Sequence, residues 1–255
     1  MRLIGVIDLL RARAVHARAG VREEYAPVTA VGGVEIAPGS ALALAREYIH
    51  RFGLTELYVA DLDAILGGTP QETSVAALAA LGAALWLDAG VSSVDEARIA
   101  SRLGAARVIV GLETLRSYGA LREICTEVRD VAFSLDLRDG QPIGMNAAMT
   151  VEPPAQIAAR AADAGASAVI VLDLARVGTG RLLDLGLIER VRRAVPDVIL
   201  VSGGGVGEFQ DVDRLAEAGC DGVLMATALH QGRLGPDDVA MARRLRRPGQ
   251  GSATR

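Results

Sequence analysis

The sequence predicts an α/β protein, a closed barrel of eight parallel strands, each followed by a helix. Three observations predict it. Eight short apolar runs alternate with eight helical patterns. A chain of 255 residues matches the roughly 250 that one such barrel needs. The chain also resembles itself across its middle. WLDAGVSSVDEA (Trp86–Ala97) lines up with VSGGGVGEFQDV (Val201–Val212), and VIVGLETL (Val108–Leu115) with VLMATALH (Val223–His230). Gly90 then falls on Gly205 and Gly111 on Ala226, a common offset of 115. This is an internal half-barrel repeat, four units twice, about 1–128 and 129–246. The expectation is one (β/α)8 or TIM barrel domain over residues 1–246 and a disordered tail over 247–255.

The apolar runs are Leu3–Asp8, Leu57–Asp63, Ala84–Ala89, Val108–Glu113, Val131–Asp136, Ala168–Asp173, Val198–Ser202 and Gly222–Ala226. They are rich in Val, Ile and Leu and nearly continuous, as strands covered on both faces should be. The spacing predicts helices over Ser40–Phe52, Thr73–Leu81, Val94–Leu103, Tyr118–Val128, Pro153–Ala164, Leu185–Val195, Phe209–Ala218 and Asp237–Arg246. Gly53, Gly82, Gly104, Gly165 and Gly219 stand where helices should end, and Ser40, Ser93 and Asp184 where they should begin. The stretch Arg11–Pro38 is a long first loop, of the kind that carries lids and binding segments.

Composition excludes several function classes. Hydrophobic residues make up 51% and aromatics 3%, so Val, Leu, Ile and Ala must fill the core. A net charge of −4 offers no general attraction to nucleic acid or to an anionic membrane. No apolar run reaches the roughly 18 residues of a membrane span, and Met1-Arg2-Leu3 enters a strand at once, which leaves no room for a signal peptide. A cytoplasmic location is the expectation. In that compartment Cys125 and Cys220 read as buried free thiols. All 27 basic residues are arginine. Without a lysine amine, Schiff-base aldolase and pyridoxal-phosphate chemistry are excluded.

Side chains at the C-terminal ends of barrel strands face the active-site mouth. Here the sequence places Asp8, Asp61, Asp88, Glu113, Asp136 and Asp173 on strands one to six. Strands seven and eight end in Gly203-Gly204-Gly205 and Ala226-Thr227-Ala228 instead. Bare glycine backbone lets an anion approach N–H donors, and a helix start behind it adds its dipole. Gly178-Thr179-Gly180 after strand six adjoins this cup. One side of the mouth is therefore acidic and the other suits a phosphate. Asp8 and Asp136 occupy matching places in the two halves, across the mouth from each other, which fits a general acid and a general base. Mutual repulsion among the acids would raise some of their pKa values. Asp61 and Asp173 are candidates to face the substrate. Asp63 could equally cap the next segment, and Asp88 and Glu113 could pair with loop arginines. His16 and Arg18, in the loop sequence VHARAG, are candidates to grip a second anionic group, and His230 also falls at the mouth. His50 reads as solvated and Trp86 as core. The same acid cluster could bind Mg²⁺, but no spacing is diagnostic of a metal site, and no cofactor or metal is expected.

The stretches VIDLL (Val6–Leu10), YVADLDA (Tyr58–Ala64), SLDLRDG (Ser134–Gly140), LDLARVGTG (Leu172–Gly180), VSGGGV (Val201–Val206) and DGVLMATAL (Asp221–Leu229) carry a resemblance. Over Leu3 to about Leu234 the chain resembles the family of histidine-biosynthesis barrels that holds ProFAR isomerase and the imidazole glycerol phosphate synthase cyclase. VHARAG, YVADLDAI, WLDAG and MATALH look most similar to a paralogous branch found in methanogens and methylotrophs. The resemblance implies a half-barrel repeat, acid/base aspartates at Asp8 and Asp136, and a phosphate site at Gly178, Thr179, Gly203, Gly204 and the Ala226–Thr227 backbone. It also implies an aldose–ketose type isomerase acting on a phosphorylated sugar or aminosugar by Amadori-type proton transfer.

The departures cluster in the first half. The isomerase pattern has a Gly-Gly-Gly-Ile-Arg type loop after strand three and Gly-Thr-Ala after strand four. This chain has Asp88-Ala89-Gly90-Val91-Ser92 and Gly111-Leu112-Glu113. A carboxylate in each place would repel a second phosphate. Leu172 and Val177 replace a Thr and an Asp of the isomerase pattern, and the aromatic expected near Met145-Asn146 is missing. The cyclase relies on lysines that this chain lacks. Two further readings stay open: a paralogue in pterin or furan one-carbon cofactor synthesis with a monophosphate substrate, and a non-catalytic barrel that binds a phosphometabolite. Each expects a small phosphorylated metabolite as partner, and none fixes the oligomeric state.

Overall fold

The computed structural model describes residues 1–16 and 25–247. Eight parallel strands form the barrel: β1 (Arg2–Leu10), β2 (Glu56–Asp61), β3 (Ala84–Asp88), β4 (Arg107–Gly111), β5 (Val131–Arg138), β6 (Ala168–Asp173), β7 (Ile199–Gly203) and β8 (Gly222–Met225). Each pairs with the next, and β8 pairs with β1 through Arg2–Gly222 to Gly5–Met225, which closes the ring. The (β/α)8 barrel is therefore as the sequence predicts.

The helices between strands are α1 (Ala41–Arg46), α2 (Glu72–Ala79), α3 (Val94–Arg102), α4 (Tyr118–Glu127), α5 (Pro154–Asp163), α6 (Leu185–Ala194), α7 (Phe209–Glu217) and α8 (Pro236–Ala242). The side chains of Ser40, Ser93 and Asp184 accept from Ala43, Glu96 and Gly186 N–H groups at the starts of α1, α3 and α6. Ser117 caps α4 in the same way, a cap the helical spacing had not singled out. Gly53, Gly82, Gly104, Gly165 and Gly219 all take positive φ, which ends a helix at no steric cost. The first helix is not uniform: α1 continues as a π turn over Glu47–Arg51 that carries Tyr48 into the core.

Two strands stop two residues earlier than their apolar runs. β2 ends at Asp61, whose carboxylate accepts from Ala64 N–H and starts a helical turn over Leu62–Ile65. That takes Asp63 out of the strand, and its carboxylate accepts from the Arg11 N–H at 2.8 Å. β4 ends at Gly111, and Glu113 sits in the turn that follows. The long first loop begins by folding Arg13–His16 back antiparallel on β1, so that His16 returns to the barrel mouth. Residues 17–24 and 248–255, which include Arg18 and most of the expected tail, lie outside the described residues.

Alternation along the strands divides the core in two. Ile4, Tyr58, Trp86, Ile109, Ala132, Ile170, Val201 and Leu224 point inward and fill the barrel. Their neighbours, such as Ile7, Leu57, Leu87, Val169 and Leu200, point outward under the helices. Trp86 plugs the interior, with its indole N–H on Glu56 Oε1 at 3.2 Å and the Arg107 guanidinium 4.4 Å over its ring. Cys220 is buried, Cys125 half-buried, and both are free thiols.

Where α1 packs on β1, the wall is thin because position 5 has no side chain. A methyl group on Gly5 would lie 2.6 Å from Tyr48 Cδ2 and 2.9 Å from Leu54 Cδ1. Overpacking of this kind costs about 1–3 kcal/mol. Gly5→Ala is therefore expected to lower the melting temperature by roughly 3–10 °C at the ~2–4 °C per kcal/mol typical of this chain size. Thermal unfolding followed by circular dichroism checks it, and an unchanged midpoint would show that Tyr48 is not tightly seated.

Candidate active site

Strand register sets the site. β1, β2 and β3 align Asp8 with Ala60 and Ala60 with Asp88. β5, β6 and β7 align Asp136 with Leu172 and Leu172 with Gly203. Asp8 and Asp88 share the inward parity of Val6 and Trp86, and Asp136 that of Ala132 and Ser134. Three odd-numbered strands therefore each present a carboxylate, and the fourth, β7, presents Gly203. A cavity of about 220 Å³ opens above them. Asp8, Asp88 and Glu113 line it from the first half of the barrel, Asp136 lines it from β5, and Gly178, Gly180, Gly204, Gly205, Ala226 and Thr227 line the part above β6, β7 and β8. Arg138, Tyr25, Tyr58 and Thr114 complete the lining among polar side chains.

Burial governs the acids. Asp8 receives no hydrogen bond from a described residue, and burial together with the Asp88 charge pushes its pKa up to about 7. Burial also lifts Asp88, to about 6. The Gly90 N–H at 3.2 Å and the Tyr58 hydroxyl at 2.9 Å hold it down in part, and Glu113 and Asp61 push it up. Asp136 is 7% exposed, and burial raises it well above the carboxylate range. The Ser134 hydroxyl, donating to Asp136 Oδ1 at 2.7 Å, opposes that rise. Gly111 leaves room for this carboxylate, since a methyl there would lie 3.2 Å from Asp136 Oδ2. The site thus holds two carboxyl groups on strands β1 and β5, across the barrel from each other, with raised affinities for a proton. One can deliver a proton while the other receives one.

The glycine side is shaped by backbone. Gly178, Gly180, Gly204 and Gly205 all have positive φ. A methyl on Gly204 would lie 2.9 Å from the Asp173 carbonyl, and one on Gly205 would overlap the Arg181 carbonyl. These loops pass too close for side chains, so their N–H groups are reachable. Gly203 and Thr179 do not line the cavity. Gly203 is covered by Leu172 and Leu224, and the Thr179 hydroxyl donates to the Arg176 carbonyl at 2.8 Å.

Asp61 and Asp173 are placed differently from Asp8 and Asp136. Both are 1% exposed and of outward parity, and neither lines the cavity. Asp61 accepts from Ala64 N, Gln71 N and Gln71 Nε2. Asp173 accepts from Asp139 N, Gly140 N and Ala175 N. Each ties a loop to the barrel rim. His16 lies beside the cup, and its Nε2 shares a 3.1 Å hydrogen bond with Thr227 Oγ1. Behind it His230 stacks edge-on at 5.1 Å and shares a 2.7 Å hydrogen bond with the Tyr48 hydroxyl. Burial pushes the His230 pKa down to about 3, so its ring is neutral. His50 is exposed. Among the described residues no group of three or more His, Cys, Asp or Glu is placed to hold a metal ion, and no helix is long and apolar enough to cross a membrane.

Sequence reasoning passed over Tyr58, Ser134 and Arg138. The first two stand two residues before an inward position at a strand end, so strand parity was a signal for them. Arg138 shares the parity of Asp136 on the same strand.

A family profile described as "Histidine biosynthesis protein" matches residues 2–235. The chain belongs to this histidine-biosynthesis family. It is 30% identical over 238 residues to the imidazole-4-carboxamide isomerase of Thermus thermophilus, covering 92% of this chain and 96% of that one. The corresponding isomerase of Deinococcus radiodurans is 32% identical over 200 residues, 76% of this chain and 83% of its own. Both relatives' names carry two phosphoribosyl groups. An uncharacterised protein of Methanocaldococcus jannaschii is 29% identical over 241 residues, 94% of this chain and 97% of that one.

Two outcomes are expected from the site's electrostatics. Between pH 4 and 7 the folded chain keeps protons on Asp8 and Asp88 that the unfolded chain has released near pH 3.9, so these groups make stability fall as pH rises through that window. Asp8→Asn removes the Asp8 share and is expected to raise the melting temperature at pH 8 while changing it little at pH 4. Equal shifts at both pH values would contradict the raised pKa. Asp61→Ala strips three donors of their acceptor inside the structure, which costs about 2–4 kcal/mol. Urea unfolding measures it.

Proposed function

We propose that this chain is an isomerase acting on a small phosphorylated sugar or aminosugar, with Asp8 and Asp136 as its acid/base pair. The observation that carries the reading is the pairing of two raised-pKa carboxyls with a glycine-walled recess in one cavity. In an Amadori-type rearrangement a protonated acid assists ring opening at one face. A base then takes the proton from the carbon that becomes the ketone carbon, so hydrogen moves between neighbouring carbons with no external oxidant. Asp8, near pKa 7, is suited to either half of that exchange at neutral pH. Asp136, buried and held by Ser134, is suited to stay protonated until the substrate draws on it.

The phosphate would lie against Gly178, Gly204, Gly205, Ala226 and Thr227, where backbone N–H groups meet the start of the turn Thr227–His230. Asp88 and Glu113 occupy the opposite half of the cavity, and two carboxylates there disfavour a second phosphate. The reading is therefore a substrate with one phosphate, unlike the doubly phosphoribosylated compound in the relatives' names.

Thermal unfolding with ProFAR, ribose 5-phosphate, glyceraldehyde 3-phosphate and inorganic phosphate tests this. A ligand at ~100 times its dissociation constant adds about 2.7 kcal/mol. Monophosphates are expected to raise the midpoint and ProFAR is not. A strong ProFAR shift would restore the histidine-pathway substrate, and no shift from any phosphorylated compound would defeat the phosphate reading. Once a substrate is in hand, Asp8→Asn and Asp136→Asn are each expected to lower kcat by at least ~10²-fold with the fold intact. Full activity in either would remove that residue from the chemistry.

A further inference from the structure

The glycine recess has backbone donors and no charged side chain among its own lining residues, while the rest of the cavity carries four carboxylates and one cation, Arg138. A phosphate dianion seated on the recess is held best by a cation beside the glycine loops themselves. The structure supplies one just outside the lining, at a position that neither strand ends nor motifs point to.

Arg233 follows the turn Thr227–His230 and is exposed. Its guanidinium rests on two of the glycine loops at once. A methyl group on Gly180 would lie 3.1 Å from Arg233 Nη1, and so would one on Gly207. The first loop lines the cavity at Gly178 and Gly180, and the second at Gly204, Gly205 and Val206. No ion pair or side-chain hydrogen bond joins Arg233 to a described residue. The Asp211 carboxylate, which a methyl on Gly207 would also approach, at 3.4 Å, is engaged by the Gly207 and Glu208 N–H groups at 2.8 and 3.1 Å.

Gly207 makes the arrangement more than an accident of an exposed side chain. Gly180 needs to be glycine because its φ is +67°. Gly207 has no positive φ, so no left-handed backbone requires glycine there. What a side chain there would meet first is the Arg233 guanidinium. The bare position keeps a berth for that group at the rim of the recess.

We infer that Arg233 is a phosphate-binding residue of this site: its guanidinium, seated on the Gly180 and Gly207 loops, supplies the positive charge that the recess lacks and takes a phosphate oxygen of the substrate. The inference rests on the phosphate reading above and adds to it the residue that selects a dianion over a neutral hydroxyl group. A guanidinium is suited to this, because its planar fork can reach a phosphate oxygen while its other nitrogens stay against the loops.

The test is isothermal titration of inorganic phosphate and glyceraldehyde 3-phosphate into the intact chain and into Arg233→Gln, Arg233→Lys and Gly207→Ala. Loss of one charge-assisted contact is expected to weaken both ligands about 10- to 100-fold in Arg233→Gln. Arg233→Lys should recover part of that loss, and Gly207→Ala, which crowds the guanidinium off its berth, should lose affinity as well. The ligand-free melting temperature of Arg233→Gln is expected to stay within 1 °C or so of the parent, since an exposed side chain without partners contributes little to stability. If the parent binds and Arg233→Gln binds equally well, Arg233 has no part in the site while the phosphate reading stands. If Arg233→Gln melts several degrees lower without ligand, Arg233 braces the loops and does not read phosphate. If the parent binds neither ligand, the phosphate reading falls and this inference with it.

Discussion

The pairing of β8 with β1 is the constraint on which the rest depends. A closed ring of strands has an inside and an outside, and the two-residue repeat of a strand then assigns each side chain to one of them. Val6 and Asp8 go in, and Ile7 and Leu9 go out. At the C-terminal ends, going in means entering a recess that is walled by protein and open only at the top. A carboxylate delivered there loses water and meets other carboxylates, which is why Asp8 and Asp136 hold protons at a pH where a surface aspartate would not. The proton-transfer capacity of the site is thus a consequence of ring closure and parity.

The same parity separates two kinds of aspartate that look alike in sequence. Asp61 ends β2 one residue past the inward Ala60, and Asp173 ends β6 one residue past the inward Leu172. Both turn away from the cavity and collect backbone N–H donors from the loops that follow. They stand at matching places in the two half-barrels and do matching work, each pinning a loop with a fully buried, multiply bonded carboxylate. A loop fastened at its root can hold a neighbouring binding group in place. Asp173 fastens its loop beside Gly204, whose close approach to the Asp173 carbonyl leaves no space for a side chain.

The fold was legible in the sequence because its signals are local and repeated: apolar runs, capping residues at helix starts, glycines at helix ends. The positions of Asp8 and Asp136 were legible too, since each stands at an inward place near the end of an odd-numbered strand. The roles of Asp61 and Asp173 were not separated from theirs, because the run LYVADLD hides where strand becomes turn, and a one-residue error in parity exchanges cavity for loop. Gly203 was placed in the cup as a strand-end glycine and Thr179 by adjacency to it, but packing decides there: Leu172 and Leu224 cover Gly203, and Thr179 spends its hydroxyl on its own loop. The contact of Arg233 with Gly180 and Gly207 joins three separate loops, and no local pattern announces a contact of that kind. Arg18 lies outside the described residues.

The two halves of the barrel have diverged in charge while keeping one geometry. In the second half, after β6, β7 and β8, the cavity is lined by glycines and small residues, and an arginine stands at its rim. In the first half, the corresponding places after β3 and β4 hold Asp88 and Glu113. A substrate with an anion at each end would be drawn to one half and repelled by the other, whereas a substrate with one anion is oriented by the same field. Asp88 sharpens that orientation, because its Tyr58 and Gly90 hydrogen bonds favour the charged form against the burial that opposes it. On the proposed reading, orientation would decide which carbon of the substrate meets Asp8 and which meets Asp136, so the charge difference between the halves would bear on the direction of proton transfer as much as on affinity.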